Sequence, residues 1–256
     1  ELAGEEQIRA IDDEVKRAVR AWLLFGGVGG RTRRGLGAVN DLAFSCDLDG
    51  FDAALKDLLK GTPCTPRCSG KVRSIHSVWR TQQLYPTAFN CLQQLETWYR
   101  DYRQDRRPGN APNRPGRSLW DEPELIRRLL KKREPRHQPL NVPWGKHAEG
   151  WARGVLGLPI VFHFKDRGDP PQSMLQGDAK GVDRMGSPIL FRAVRVGKEK
   201  YVGVVVRLTG PYVPNNARHF GLVVGGTVNP VPVTCKVAKV FDDLFKAGGP
   251  LLTQIV

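Results

Sequence analysis

"SPILFRAVRVGKEKYVGVVVRL", residues 187–208, is the stretch whose reading decides the fold. Its two arms, 187–196 and 200–208, are rich in β-branched and aromatic residues, which suit a pleated, half-buried surface. The Gly197-Lys198-Glu199 link between them is short enough for a hairpin. Upstream, "LPIVFHF" (158–164) has the same strand character. Downstream, "VAKVFDDLFKAG" (237–248) reads as an amphipathic helix. The C-terminal part of the chain therefore predicts an α+β region with an antiparallel sheet.

Outward from this sheet, the N-terminal part turns helical. Ile8, Ile11, Val15, Val19 and Trp22 recur at steps of three and four, which puts them on one face of a helix over 5–25. Gly26 ends it, because glycine readily closes a helix. Leu42, Phe44, Cys46 and Leu48 then alternate as on a half-buried strand. Asp49 is placed to cap a short helix carrying Phe51, Leu55, Leu58 and Leu59. Another helix is expected from Thr87 to Arg103, with Phe89, Leu92, Leu95 and Tyr99 along one side. "RRPGNAPNRPGRS" (106–118) is a loop by composition, and Ser118 begins a helix that Pro135 stops.

The whole chain has 256 residues, with 40 Lys and Arg against 26 Asp and Glu, a formal charge of +14. Such a surplus points to a polyanionic partner, with an inert basic surface as the plain alternative. Between Arg100 and Arg136, twelve basic and six acidic residues supply six of those net charges. There is no run of eighteen apolar residues and no signal peptide pattern, so a cytoplasmic protein without a membrane partner is expected. The five cysteines are sparse and odd in number, which fits a reducing compartment.

Between helix and strand lies "GGVGGRTRRGLG" (26–37), with six glycines and three arginines in twelve positions. A P-loop fails here: the nearest frame starts at Phe25 and has Arg31 where lysine is needed. A dinucleotide fingerprint fails too, because position 32 is threonine and the loop follows a helix and precedes a strand. The physics still favours anions. Glycines let main-chain N–H groups approach closely, and arginine grips phosphate with a planar fork. A glycine-rich turn with its arginines in water is the alternative reading of the same residues.

"FGGVGGRTRRGLGAV" resembles the glycine-rich loop of the RAMP superfamily of CRISPR RNA-binding proteins, most of all the first-subunit family of the type III-B (Cmr) effector complex. "VLGLPIVF" and "RMGSPILFRAV" resemble that family's C-terminal half. The resemblance implies a ferredoxin-like, RRM-related fold with a largely helical insertion. It implies three parts: the end of a first ferredoxin-like domain over 1–60, an insertion over 61–150, and a C-terminal ferredoxin-like domain over 151–256. The start of the first domain would then lie outside this sequence, which begins at Glu1. It further implies a non-catalytic RNA-binding subunit for antiviral defense, with guide RNA, target RNA and other Cmr subunits as partners. RNA contact would fall to Arg31, Arg33 and Arg34, with Thr32 among them. Gly26, Gly27, Gly29, Gly30, Gly35 and Gly37 would shape the bend.

Other chemistry is thinner. No cofactor motif is found. His163 alternates against Ile160, Phe162 and Phe164 and should point away from that apolar face, where it is a partly exposed sheet residue or a base-stacking one. Asp178 and Asp183 are the nearest candidates for a divalent-metal RNA endonuclease, but such residues are commoner as turn formers. Cys64 and Cys68 form C-x-x-x-C, and Cys46 and His76 would have to join them to hold zinc. No residue is therefore assigned to catalysis or to a metal. The alternatives are the metal-dependent nuclease and a structural cap that binds neighbouring subunits.

Overall fold

The computed structural model describes residues 2–39, 47–60, 74–107, 116–141, 150–177, 184–210, 219–233 and 236–256. It is a mixture of helices and antiparallel sheets. Helices α1 (Leu2–Phe25) and α2 (Leu48–Leu59) come first, then strand β1 (Ile75–Thr81), helix α3 (Ala88–Arg103) and helix α4 (Glu122–Leu129). Strands β2 (Ile160–Phe162), β3 (Ser173–Gln176), β4 (Ile189–Val196), β5 (Lys200–Leu208), β6 (His219–Val224) and β7 (Thr227–Pro232) follow. Helix α5 (Val237–Ala247) and strand β8 (Leu252–Gln254) close the chain.

The expected hairpin is there: β4 and β5 pair antiparallel from Ile189 with Arg207 to Val196 with Lys200. Gly197, at φ 64°, makes the turn. Strand β5 continues onto β1, and β1 onto β8, giving the order β4-β5-β1-β8. Along the chain this sheet is built as β1-α3-β4-β5-α5-β8. The expected division at 61–150 thus cuts through it, because β1 and α3 fall inside that segment yet lie at the sheet's centre.

Both faces of this sheet are covered. Ile189, Phe191 and Val205 point toward α3 and α5, where they meet Leu95, Tyr99, Phe241 and Leu244. Trp79 of β1 stacks on Phe245 of α5, with ring centroids 4.6 Å apart. Val78, Val202, Val204 and Val206 point the other way, onto Phe51 and Leu55 of α2. With both faces closed, no open RRM-like platform exists on this sheet for stacking bases.

The second sheet has the order β2-β3-β6-β7. Its inner face packs Ile160, Phe162, Leu175, Phe220 and Leu222 against Ile126 of α4 and Trp151. On its outer face Val161, Met174, Val223 and Val228 fall in one row by register. His163 is exposed just past β2, pointing away from the apolar face as expected.

Three local expectations shift. Asp47, not Asp49, caps α2, accepting from Gly50 N at 2.8 Å. Helix α4 begins at Glu122 rather than Ser118, because Pro123 has no N–H to give a helix interior and fits the first turn. Thr87 caps α3, accepting from Asn90 N at 3.1 Å. The strand expected around Leu42, Phe44 and Cys46, the Cys64 and Cys68 pair, and Asp178 and Asp183 lie outside the described residues. Leu48, the last member of that alternation, opens α2 instead.

Candidate functional site

The glycine–arginine loop begins where α1 stops. Gly26 N donates to Trp22 O at 2.6 Å, and Val28 N donates to Gly37 O at 2.9 Å, so the loop closes on its own base. That closure explains Gly37, which sits at φ 72°: a Cβ there would fall 1.8 Å from Val28 O. Gly35, at φ 79°, is buried under Leu92, whose Cδ2 would lie 2.4 Å from an added Cβ. Gly29 and Gly30 differ, since nothing lies within 4 Å of a Cβ at either. They form the open tip, with exposed Arg31 beside them at φ 57°.

The structure separates the three arginines. Arg33 donates to Ser187 O, and its guanidinium lies against Gly186. Arg34 stacks over Tyr99 at 4.6 Å and Phe191 at 5.4 Å from the ring centroids, with Glu96 3.6 Å away. Both are struts that hold the loop on β4 and α3. Thr32 is half-buried, and its carbonyl accepts from Arg192. Only Arg31 of the trio projects from the tip.

Arg192 is the residue that sequence reading missed. It is 2% exposed, within β4, and donates to Phe25 O at 2.5 Å as well as to Thr32 O. One guanidinium thereby ties the end of α1 and the middle of the loop to the sheet. Burial lowers its pKa from the ordinary arginine value. The available signal was an arginine at a core-facing position of an apolar strand, whose buried guanidinium needs hydrogen-bond acceptors.

Between α1 and α2 lies a groove of about 730 Å³. Leu24, Phe51, Leu55 and Val194 line its apolar part, and Lys16, Arg17, Arg20 and Lys60 bring positive charge, with Asp13 and Asp57 also present. Arg17 fixes the wall by donating to Leu58 O at 2.9 Å and Lys60 O at 2.6 Å. Lys16 pairs with Asp12 at an exposed site, and the hydrogen bond to that carboxylate raises the lysine pKa. An exposed pair of this kind is readily exchanged for another anion.

A second cluster lies between the turn after α4 and the loop at 166–169. His137, Asp166 and Asp169 each offer a ligand atom within 4.8 Å of the others. Asp169 is already engaged, accepting from Arg127 Nη2 at 2.7 Å and Nε at 2.9 Å. Burial works to raise its pKa, but Arg127, the Glu134 N–H and His137 outweigh that and bring it down to about 2. His137 stands 3.2 Å from Asp169 and 3.3 Å from Asp166. This is an ion-pair network joining α4 and the turns after it to the loop at 166–169. Sequence reading gave it no role, because its members come from segments about thirty residues apart.

Comparison with known proteins changes the functional reading. The chain is 36% identical over 95 residues to NADH-cytochrome b5 reductase 1 of Pyricularia oryzae. The match takes in 28% of this chain and 30% of that protein's length, so it is a likeness of one part. No family model matches the chain, and no solved structure does.

The likeness to an oxidoreductase points away from the expected non-catalytic RNA-binding subunit of a type III-B CRISPR complex. It corrects the expectation that the chain is not an enzyme, and nothing in the comparisons supports the CRISPR, Cmr or antiviral assignment. Among the described residues, no helix is long and apolar enough to cross a membrane.

Proposed function

We propose that this chain binds a phosphorylated nucleotide in the groove between α1 and α2. One observation carries the reading: the accessible apolar side chains of Leu24, Ala54 and Val194 lie beside Lys16, Arg20 and Lys60 in a space of about 730 Å³. That volume lies within the range usual for small-ligand sites, and an apolar wall with a few charged groups suits a ring system joined to phosphates.

Reduced nicotinamide dinucleotide is the first ligand to test, because the partial relative carries NADH in its name. It would supply hydride chemistry, while the chain's own residues bind and orient it. The fold limits how. All strand pairings within the two sheets are antiparallel, so the phosphates would be held by side-chain charge rather than by a strand–glycine–helix turn. A short single-stranded RNA, which presents the same phosphate ester chemistry, is the comparison ligand.

The order β1-α3-β4-β5-α5-β8, arranged as β4-β5-β1-β8, supports a ferredoxin-like reading of the first sheet. It also supports kinship of fold with the RAMP superfamily, without that family's complex or role. The buried free thiol of Cys91 and the sparse cysteines fit a cytoplasmic setting.

The experiment is a calorimetric titration of the protein with NADH and, separately, with a short single-stranded RNA. Binding of NADH that weakens about tenfold or more in the Arg20→Glu, Lys60→Glu double variant is the expected result. Binding of RNA alone, falling steeply with salt, would assign the site to a polynucleotide instead. No binding of either would end the proposal.

A further inference from the structure

The first helix is turned the wrong way round for a core helix. At about 100° per residue, Ile8, Ile11, Val15, Val19 and Trp22 occupy an arc of about 80°. All five are exposed, from 68% at Ile8 and 62% at Ile11 to 46% at Trp22. Asp13, Arg17, Arg20 and Leu24 lie on the far side of the helix and line the groove toward α2, with Lys16 at its edge. The helix thus docks by its charged face and presents its apolar stripe outward. Val28 and Leu36, at 62% and 48% exposure, add apolar surface in the loop directly after it.

An exposed apolar stripe of this length marks an interaction surface. We propose that it is covered by the same stripe of a second copy of this chain, in an antiparallel helix pair whose two-fold axis passes by Val15. The stripe's own symmetry and its charges favour this partner. An axis at Val15 sets Val15 against Val15, Ile11 against Val19, and Ile8 against Trp22, so every apolar residue meets another. Such a self-matching surface is what a closed two-fold interface needs.

The charges on one flank match in the same register. Asp12 and Lys16 lie on the same side of the stripe, and each side chain is 57% exposed. In the antiparallel pair, Lys16 of the second copy falls about 3 Å along the axis from Asp12 of the first, at 1.5 Å per residue. Each flank salt bridge therefore meets its inverted counterpart, giving an alternating group of four charges. A parallel pair, with its two-fold axis along the helices, would set this flank against the opposite flank of the copy instead. The opposite flank carries Gln7, Glu14, Ala18 and Ala21. The small alanines let the helices approach, and Glu14 meets its own copy there, which opposes pairing.

Sedimentation analysis of the full chain across a range of concentrations tests this. The expected mass rises from 28.6 kDa toward twice that value at tens of micromolar or above, on the order expected for a small interface. Val15→Asp, an exposed change that buries two like charges at the axis, should weaken association by about a hundredfold. Glu14→Gln should tighten it by about threefold. Under mild oxidation Val15→Cys should form a disulfide between identical residues, located by peptide mapping against the wild type.

A mass of 28.6 kDa throughout, an unchanged dimer in Val15→Asp, or cross-links joining Ile8→Cys to itself would each overturn the proposal. So would a monomer that uses this stripe to bind anionic vesicles. These substitutions lie away from the groove, so failure here is separate from failure of nucleotide binding.

Discussion

Helices α1 and α5 carry the same kind of apolar spacing and meet opposite ends. In α5, Val240, Phe241, Leu244 and Phe245 are buried against the first sheet and α3. In α1, Ile8, Ile11, Val15, Val19 and Trp22 face outward, and polar residues line the groove beside α2. Periodicity shows that a helix has an apolar face. It does not show which partner covers that face. The body of the molecule, with its sheets and α5, uses apolar contact as its adhesive. The flank formed by α1 and its loop adds guanidinium groups on backbone carbonyls to the packing of Leu24 and Phe25.

The largest effect expected from this contrast is in the body. Phe241→Ala should cost about 3–5 kcal/mol in denaturant unfolding, because Phe241 is fully buried and leaves a cavity. A loss under about 1 kcal/mol would mean that α5 is no better anchored than α1.

Next comes the junction between body and flank. Arg192→Met should cost about 1–3 kcal/mol by leaving the carbonyl of Phe25 without this donor and that of Thr32 with Gly35 N alone. It should also raise hydrogen exchange at residues 26–37 while leaving the second sheet protected. Uniform loss of protection across both would break the distinction between flank and body.

Acid should act on the body through Asp169. Its folded pKa of about 2 lies below the ordinary carboxylate value of 3.8. Its contribution, about 2 kcal/mol, is complete above the unfolded pKa and is lost as pH falls from about 4 toward 2. Asp169→Asn should therefore lower stability at neutral pH and flatten the acid limb of the stability profile between those values. An unchanged acid limb would show that the Arg127 pairing contributes nothing.

The smaller effects sharpen the description of the flank. Gly37→Ala, at φ 72° against Val28 O, should cost about 1–3 kcal/mol by thermal melting, whereas Gly30→Ala at the open tip should cost under about 1. Smallest of all, Ile11→Ala should change the stability of the dilute monomer by under about 0.5 kcal/mol, since its side chain is 62% exposed.

Much of the body was legible in the sequence. The β4–β5 hairpin announced itself through its β-branched residues and its short link, and Gly26 marked the end of α1. The order of the strands was hidden, because β1 and β8 join the sheet over long range and β1 is preceded by no local signal. The candidate site was half legible. Glycine and arginine content singled out residues 26–37, yet composition could not show that Arg33 and Arg34 lean back onto the body of the protein while Arg31 stands at the tip. That division is set by Ser187, Tyr99 and Phe191, residues more than sixty positions away.

The way the loop meets β4 has a consequence for solubility. Strand β4 is the outermost of its sheet, and such a margin invites uncontrolled growth by strands of other molecules. Here Phe191 N, midway along that margin, already donates to Arg33 O at 3.0 Å. The loop thus acts as a stopper against amyloid-like stacking, and peeling it away would convert a quiet border into an adhesive one.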